Sequence, residues 1–197
     1  MNLANKLTIF RIILVPIMVI VPFFGIEGTW LGIPITLWIM NLIFIVASIT
    51  DKLDGYIARS KNQVTTFGKF LDPLADKILV LTAMVMLVGM LRLPAWIPIV
   101  VLAREFLVSG YRLVAVEKGG KVIAASFWGK LKTVTQMLAI ILAFADQNAF
   151  AACFSGNLTG FAFGYNLIGT ILMLISVIAC VFSGWDYIKG GKDLLKD

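Results

Sequence analysis

The chain has 197 residues, of which 60% are hydrophobic and 14% are charged, and its mean hydropathy is +0.95. A composition this apolar argues against a water-soluble globular protein, and the length suits one domain. The net charge of +6 would suggest nucleic acid in a soluble protein, but basic residues at the inner face of a membrane explain it better. The absence of histidine excludes histidine bases, phosphohistidine intermediates and histidine metal ligands.

Six hydrophobic blocks follow one another along the chain, and we interpret each as a transmembrane helix. They cover about residues 8–26, 30–50, 70–91, 93–115, 130–146 and 163–185. No small-residue cleavage site follows the first block, so we interpret it as a retained helix rather than a signal peptide. The uncharged stretch from Gln147 to Trp185 is too long for one crossing, and its polar first part is interpreted as a loop or an interfacial segment. The sequence therefore predicts an all-α integral membrane protein with one membrane-embedded domain over residues 1–197.

Two of these blocks are too short to cross a bilayer by their apolar residues alone. The runs Ile78–Leu91 and Leu93–Ala103 fall below the roughly 20 residues that a crossing helix needs. They reach that length only by including Asp76, Arg104 and Arg112. These charged residues are therefore expected inside helices, facing a polar interior near one membrane surface.

The placement of charge predicts the orientation of the helices. With six spans and both termini in the cytoplasm, every lysine and arginine except Arg92 falls on the inner side or in an inner helix end. This is the bias of the positive-inside rule. Both termini and any site at the inner helix ends are expected to face the cytoplasm.

Four aspartates, Asp51, Asp54, Asp72 and Asp76, lie at the inner ends of the second and third predicted helices. Carboxylates are costly at membrane depth and persist there mainly where they have a function. Spacings of three and four residues place each pair on one helix face. A short polar turn at Ser60–Thr66 would make the two helices antiparallel neighbours. Such a cluster is typical of a divalent metal site, and oxygen-only ligands favour Mg²⁺ or Mn²⁺, with Ca²⁺ possible.

The aspartates belong to a longer pattern, Asp51-x2-Asp54-Gly55-x2-Ala58-Arg59-x8-Gly68-x3-Asp72-x3-Asp76. At every fixed position this pattern resembles the signature of the CDP-alcohol phosphatidyltransferase family. The resemblance implies a six-helix membrane enzyme, often dimeric, that transfers a phosphatidyl group from a CDP-linked lipid to an alcohol and releases CMP. It also implies two divalent metal ions, Mg²⁺ or Mn²⁺, held by Asp51, Asp54 and Asp72, with Asp76 as both ligand and general base. Gly55, Ala58, Arg59 and Gly68 would line the CDP-lipid pocket.

Arg104 and Arg112 lie within an apolar helix, which favours a function over a simple charge bias. They are about 80° apart around a helix axis, so both can face one cavity. Glu105 could orient one arginine or bind the acceptor hydroxyl. Basic residues near a metal site indicate an acceptor that carries its own phosphate.

Three further stretches resemble the branch of the family whose acceptor is glycerol 3-phosphate. They are Asn5-x-Leu7-Thr8-x2-Arg11, Ala103-Arg104-Glu105-x6-Arg112 and Gly129-Lys130-x-Lys132-Thr133. With the aspartate pattern, the resemblance covers about residues 2–135. It implies CDP-diacylglycerol as donor, a homodimer and a place in the bacterial cytoplasmic membrane. It also assigns six residues to the acceptor phosphate: Arg104, Arg112, Lys130, Lys132, Thr8 and Arg11.

Two alternatives stay open. A relative with the same fold could use serine, inositol phosphate or phosphatidylglycerol as acceptor, although neutral serine would leave Arg104 and Arg112 unexplained. An ion or proton transporter would use the carboxylates as its pathway. The acids, however, cluster at one face, and no acid in the outer half continues such a route.

Overall fold

The computed structural model describes the backbone of residues 3–60, 66–117 and 127–190, and these ranges are almost entirely helical. The helices are α1 Leu3–Ile20, α2 Ile35–Ser60, α3 Thr66–Gly89, α4 Trp96–Glu117, α5 Phe127–Phe144 and α6 Gly160–Gly190. Two 3₁₀ turns, Val21–Phe24 and Ala152–Ser155, and a hairpin of β1 Thr29–Trp30 with β2 Ile33–Pro34 complete the described elements. The prediction of six helices is confirmed.

Apolar helices with outward-facing hydrophobic side chains make this an integral membrane protein. Within the described ranges, three segments are long and apolar enough to cross a membrane: Asn5–Phe24, Phe127–Phe144 and Gly160–Lys189. Large apolar side chains on these segments are exposed, as Ile13 and Ile178 are. An exposed apolar face of this extent is typical of a surface that contacts a membrane or another protein. Asp76 lies within α3, and Arg104 and Arg112 lie within α4, so these charged residues are inside helices as the sequence predicts.

The second hydrophobic block was predicted to be helical from residue 30, and this is wrong for residues 30–34. These residues complete the hairpin, and α2 begins at Ile35. The turn residues Leu31 and Gly32 have φ of 54° and 74°, which is the left-handed conformation that tight hairpin turns require. Trp38 Nε1 donates a hydrogen bond to Trp30 O at 3.0 Å, so the first turns of α2 hold the hairpin in place. Hydropathy does not separate this hairpin from the helix because both are apolar.

Other helix ends differ less from the prediction. The loop predicted at the start of the stretch from Gln147 to Trp185 is confirmed, because α6 begins only at Gly160. α1 begins at Leu3, earlier than predicted, and α6 extends to Gly190. The predicted polar turn at Ser60–Thr66 lies, apart from its two end residues, outside the described residues.

The chain divides into two compact units. The first comprises Met1–Leu93 and Ile141–Ala149, and the second comprises Pro94–Ile140 and Phe150–Asp197. In the first unit α1 packs against both α2 and α3, and in the second α4 packs against α6. Helix α5 begins in the second unit, where Trp128 stacks on Phe182 with ring centroids 5.0 Å apart. The prediction of a single domain over the whole chain stays a prediction.

Three connections of the first unit are tied together around Asp146. Arg92, between α3 and α4, donates to the main-chain oxygen of Asp146, and burial lowers the pKa of this arginine while Asp146 raises it. Gln147 Nε2 donates to Leu31 O at 2.6 Å. A Cβ at Gly32 would lie 2.5 Å from Gln147 Nε2, so glycine is needed there for space as well as for its φ.

Candidate functional site

The aspartate cluster (Asp51, Asp54, Asp72 and Asp76) lies on α2 and α3 of the first unit. Asp51 and Asp54 precede the end of α2, and Asp72 and Asp76 lie in the first half of α3. The side chains of Asp51, Asp72 and Asp76 are each partly exposed, whereas that of Asp54 lies outside the described part of the structure.

Helix α1 contacts one aspartate of each pair. The fully buried Arg11 places Nη1 2.7 Å from Asp51 Oδ1. One turn earlier, Thr8 Oγ1 donates to Asp72 Oδ1 at 2.6 Å. Because Thr8 and Arg11 are three residues apart, they share one face of α1. A single face of α1 therefore brings Asp51 of α2 and Asp72 of α3 to neighbouring positions.

These contacts differ from the assignment made from the sequence. The sequence placed Thr8 and Arg11 at the acceptor phosphate, whereas both reach aspartates in the structure. Their assignment to the acceptor phosphate stays a prediction. The sequence contained a signal for the observed contact, since an arginine inside an apolar helix usually pairs with an acidic side chain or a backbone carbonyl.

The donor set of the cluster fits a hard divalent cation. Carboxylate oxygens are the ligands that Mg²⁺ and Mn²⁺ prefer. Helix α1 contacts the cluster at Oδ1 of Asp51 and at Oδ1 of Asp72. Among the described side chains, which do not include that of Asp54, no group of three or more acids or cysteines could hold a metal ion. A metal at the four aspartates stays a prediction.

The residues assigned to the CDP-lipid pocket lie on the same two helices. Gly55 is partly exposed on α2 and Gly68 is buried on α3. The side chains of Ala58 and Arg59 lie outside the described residues. Their pocket role is therefore a prediction that rests on the family pattern.

A second group of charged residues lies in the second unit, where Glu105 joins two cations. Glu105 Oε1 accepts hydrogen bonds from Arg104 Nη1 at 2.8 Å and from Lys132 Nζ at 2.6 Å. The side chains of Arg104, Glu105 and Lys132 are 13%, 12% and 9% exposed. Arg104 also donates through Nη2 to Ser183 Oγ on α6. The sequence left two roles open for Glu105, which were to orient an arginine or to bind the acceptor hydroxyl. The structure shows the contact with an arginine, Arg104.

Arg112 is held differently, by an aromatic residue of α6. Its Nη2 donates to the hydroxyl of Tyr187 at 2.8 Å, and its guanidinium carbon lies 5.6 Å from the centroid of that ring. The guanidinium carbon of Arg104 lies 5.9 Å from the same centroid. Tyr187 is 2% exposed, whereas Arg112 is exposed. Within the described ranges Arg112 has no carboxylate partner.

The structure thus connects Arg104, Arg112 and Lys132, three of the five basic residues that the sequence assigned to the acceptor phosphate. We call Arg104, Glu105, Arg112, Lys132 and Tyr187 the basic network. Lys130 is exposed on α5, and no described contact joins it to the network. Residues two positions apart point to different sides of a helix, so Lys130 and the buried Lys132 diverge.

Sequence reasoning missed the contribution of α6. Ser183 and Tyr187 are four residues apart near the end of that helix, so they share a face. Gly129 and Gly184 border Arg104, because a Cβ at either position would lie 3.6 Å from its side chain, an ordinary van der Waals distance. The sequence signal for this contribution was the pair Ser183 and Tyr187, two polar residues at helical spacing in an otherwise apolar segment.

Comparisons with known proteins agree over nearly the whole chain. A family model described as CDP-alcohol phosphatidyltransferase matches residues 1–182. The chain is 40% identical, over 200 residues, to a CDP-diacylglycerol--glycerol-3-phosphate 3-phosphatidyltransferase of Bacillus subtilis, covering 99% of this chain and 97% of the relative. It is 37% identical over 206 residues to a protein of the same name from Haemophilus influenzae, covering 100% and 96%. A probable phosphatidylglycerophosphate synthase of Mycobacterium tuberculosis is 36% identical over 187 residues, covering 95% and 80%.

Proposed function

The chain belongs to the CDP-alcohol phosphatidyltransferase family, and on that premise we propose that it transfers the phosphatidyl group of CDP-diacylglycerol to glycerol 3-phosphate. The products are phosphatidylglycerophosphate and CMP. The observation that carries the proposal is the 40% identity with a relative named for this reaction, over 97% of that relative's length.

The aspartates have the central role in the proposed chemistry. A hydroxyl oxygen of glycerol 3-phosphate bonds to the phosphorus of the phosphatidyl group, and the bond from that phosphorus to the CMP oxygen breaks. Asp76 accepts the hydroxyl proton, because a carboxylate is the available base in a chain without histidine. The four aspartates would hold two Mg²⁺ or Mn²⁺ ions, which supply positive charge that offsets the phosphate oxygens. Gly55, Ala58, Arg59 and Gly68 bind the CDP part of the donor.

Helix α1 supports this arrangement by orienting two of the aspartates. Arg11 fixes one oxygen of Asp51 and Thr8 fixes one oxygen of Asp72. An ion pair and a hydrogen bond of this kind can orient ligating carboxylates, and such outer contacts are typical of metal sites. The proposed role of Arg11 is therefore to compensate the charge of Asp51 and to hold its carboxylate in place.

The basic network supports an acceptor that carries a phosphate. Two arginines and one lysine against one glutamate leave it with a formal charge of +2. A phosphate monoester carries close to two negative charges at neutral pH, so the charges match. Arg112 can offer parallel N–H groups to phosphate oxygens, whereas both Nη atoms of Arg104 already donate to Glu105 and Ser183, so Arg104 contributes its charge to the site. An acceptor without a phosphate, such as serine, would have no group to pair with the positive charge of the basic network. Lys130 is assigned to the same phosphate by the family resemblance alone.

We further propose that the protein resides in the bacterial cytoplasmic membrane as a homodimer, with both termini and the active site on the cytoplasmic side. The charge bias supports the orientation, since Arg92 is the one basic residue outside the inner segments. The bacterial sources of the relatives support the choice of membrane.

An acceptor panel tests the proposal. Purified protein in lipid nanodiscs receives CDP-diacylglycerol, Mg²⁺ or Mn²⁺, and one of glycerol 3-phosphate, serine, inositol phosphate or phosphatidylglycerol. We expect CMP release and a new phospholipid with glycerol 3-phosphate alone. Turnover with serine but not with glycerol 3-phosphate would refute the assigned acceptor. Absence of metal-dependent CMP release with every acceptor would refute the enzyme and favour the transporter alternative.

A further inference from the structure

We propose that Tyr187 of α6 is a positioning residue, which holds Arg112 in the orientation that binds the phosphate of the acceptor. The inference rests on the proposed function, because Arg112 has a ligand only if the acceptor is phosphorylated. It deepens that function by adding a residue near the end of α6, outside the segments that resemble the family branch.

The ring of Tyr187 brings two guanidinium groups to one place. The guanidinium carbons of Arg104 and Arg112 lie 5.9 Å and 5.6 Å from its centroid. Two cations that contact the same ring repel each other, and the aromatic ring attracts each of them. The ring is 2% exposed, so the surrounding helices fix its position and it can serve as a rigid reference for both arginines.

The hydroxyl of Tyr187 has a more specific task. It accepts the hydrogen bond from Arg112 Nη2 at 2.8 Å. Arg112 is exposed, and an exposed arginine has many rotamers, whose restriction on binding weakens affinity. A hydrogen bond that selects one rotamer in advance removes part of that penalty. Tyr187 therefore prepares Arg112 for its anion before the acceptor arrives.

The two arginines depend on Tyr187 to different degrees. Arg104 is also held by Glu105 and Ser183. Among the described side chains, in contrast, Tyr187 alone forms a hydrogen bond or cation–π contact with Arg112, and none forms an ion pair with it. Loss of the Tyr187 hydroxyl should therefore release Arg112 while Arg104 keeps its place. This asymmetry distinguishes positioning from a general packing role, which would affect both.

The test compares Tyr187→Phe with a matched control on the same helix. Tyr187→Phe keeps the ring and removes the hydroxyl, and Tyr165→Phe removes a hydroxyl elsewhere on α6. Full-length variants in nanodiscs are assayed for kcat and for the KM of each substrate, with thermal unfolding as a check of folding. In Tyr187→Phe we expect the KM for glycerol 3-phosphate to rise roughly fivefold, the factor that restored rotamer freedom would give. The KM for CDP-diacylglycerol and the unfolding temperature should match those of Tyr165→Phe.

A second readout uses an anion that binds the network without being turned over. Inorganic phosphate competes with glycerol 3-phosphate for the network, and its inhibition constant should rise in Tyr187→Phe by the same factor as the KM. Tyr187→Leu, which also removes the ring, should raise both constants further. Equal constants in Tyr187→Phe and Tyr165→Phe would overturn the positioning role.

Kinetics of Arg112→Ala, measured in parallel, distinguish a failure of the positioning role of Tyr187 from a failure of the proposed function. A raised KM for glycerol 3-phosphate in Arg112→Ala and not in Tyr187→Phe overturns the positioning role and leaves the proposed function intact. An unchanged KM in Arg112→Ala shows that Arg112 is not an acceptor ligand, and the positioning role fails with it. Absence of glycerol 3-phosphate turnover in the unmodified protein would refute the function itself.

Discussion

The ion pair between Arg11 and Asp51 predicts a large effect of replacing Arg11 with methionine. The Arg11 side chain is 0% exposed and that of Asp51 is 31% exposed. Removing one partner of a buried pair costs about 3–5 kcal/mol, and the partial exposure of Asp51 favours the lower end. For a chain of this length, about 3 kcal/mol lowers the unfolding temperature by roughly 6–12 °C. We expect a loss of that size in Arg11→Met, read from tryptophan fluorescence during heating in detergent.

A double-mutant cycle isolates the pair from the other contacts of Arg11. Asp51→Asn removes the charge that Arg11→Met leaves uncompensated, so the double variant should be more stable than Arg11→Met alone. The coupling energy should exceed about 1 kcal/mol, within the range found for residues in direct contact. Additive effects in the cycle, or an Arg11→Met variant that unfolds within one degree or so of the unmodified protein, would refute the reasoning.

Three further predictions concern the aspartates, the metal and the hairpin. Asp72→Asn and Asp76→Asn should each abolish CMP release while the variants still insert into membranes, and normal turnover in either would contradict its assigned role. Chelation by EDTA should stop CMP release, and added Mg²⁺ or Mn²⁺ should restore it; activity that survives exhaustive chelation would exclude the proposed metal. Gly32→Ala should lower stability by about 1–2 kcal/mol, because alanine resists the positive φ and its Cβ would meet Gln147 Nε2. An unchanged unfolding temperature would show that the turn tolerates a side chain.

The number and order of the helices could be predicted because each depends on local hydropathy. A long apolar run inside a bilayer has few alternatives to a helix, because its backbone N–H and C=O groups must be hydrogen-bonded within the protein. The hairpin at residues 29–34 escaped this reasoning because Trp30, Leu31 and Ile33 are as apolar as the helix that follows. What separates the hairpin from α2 is the positive φ at two turn residues, and one of them is leucine, which gives no sequence signal for that conformation.

Contacts between distant segments were beyond the reach of spacing arguments. Helical spacing indicates which residues of one helix share a face, and it placed the aspartate pairs and the two arginines accordingly. It cannot say which residue of another helix meets that face. Thr8 and Asp72 are 64 residues apart in sequence, and Arg112 and Tyr187 are 75 apart. For this reason the partners of the charged residues came from the structure, although the charged residues themselves were found in the sequence.

The way each arginine is compensated indicates which of them is available to a ligand. Charged side chains in membrane segments pair with one another or with backbone carbonyls unless they serve a substrate. Arg11 pairs with Asp51, Arg92 with the main chain of Asp146, and Arg104 with Glu105. Among the arginines whose side chains are described, Arg112 alone lacks an acidic residue as partner, and it is held by a tyrosine that leaves its charge intact. A cation that is oriented but not neutralised is suited to an incoming anion, and the phosphate of the acceptor is the anion that the proposed reaction supplies.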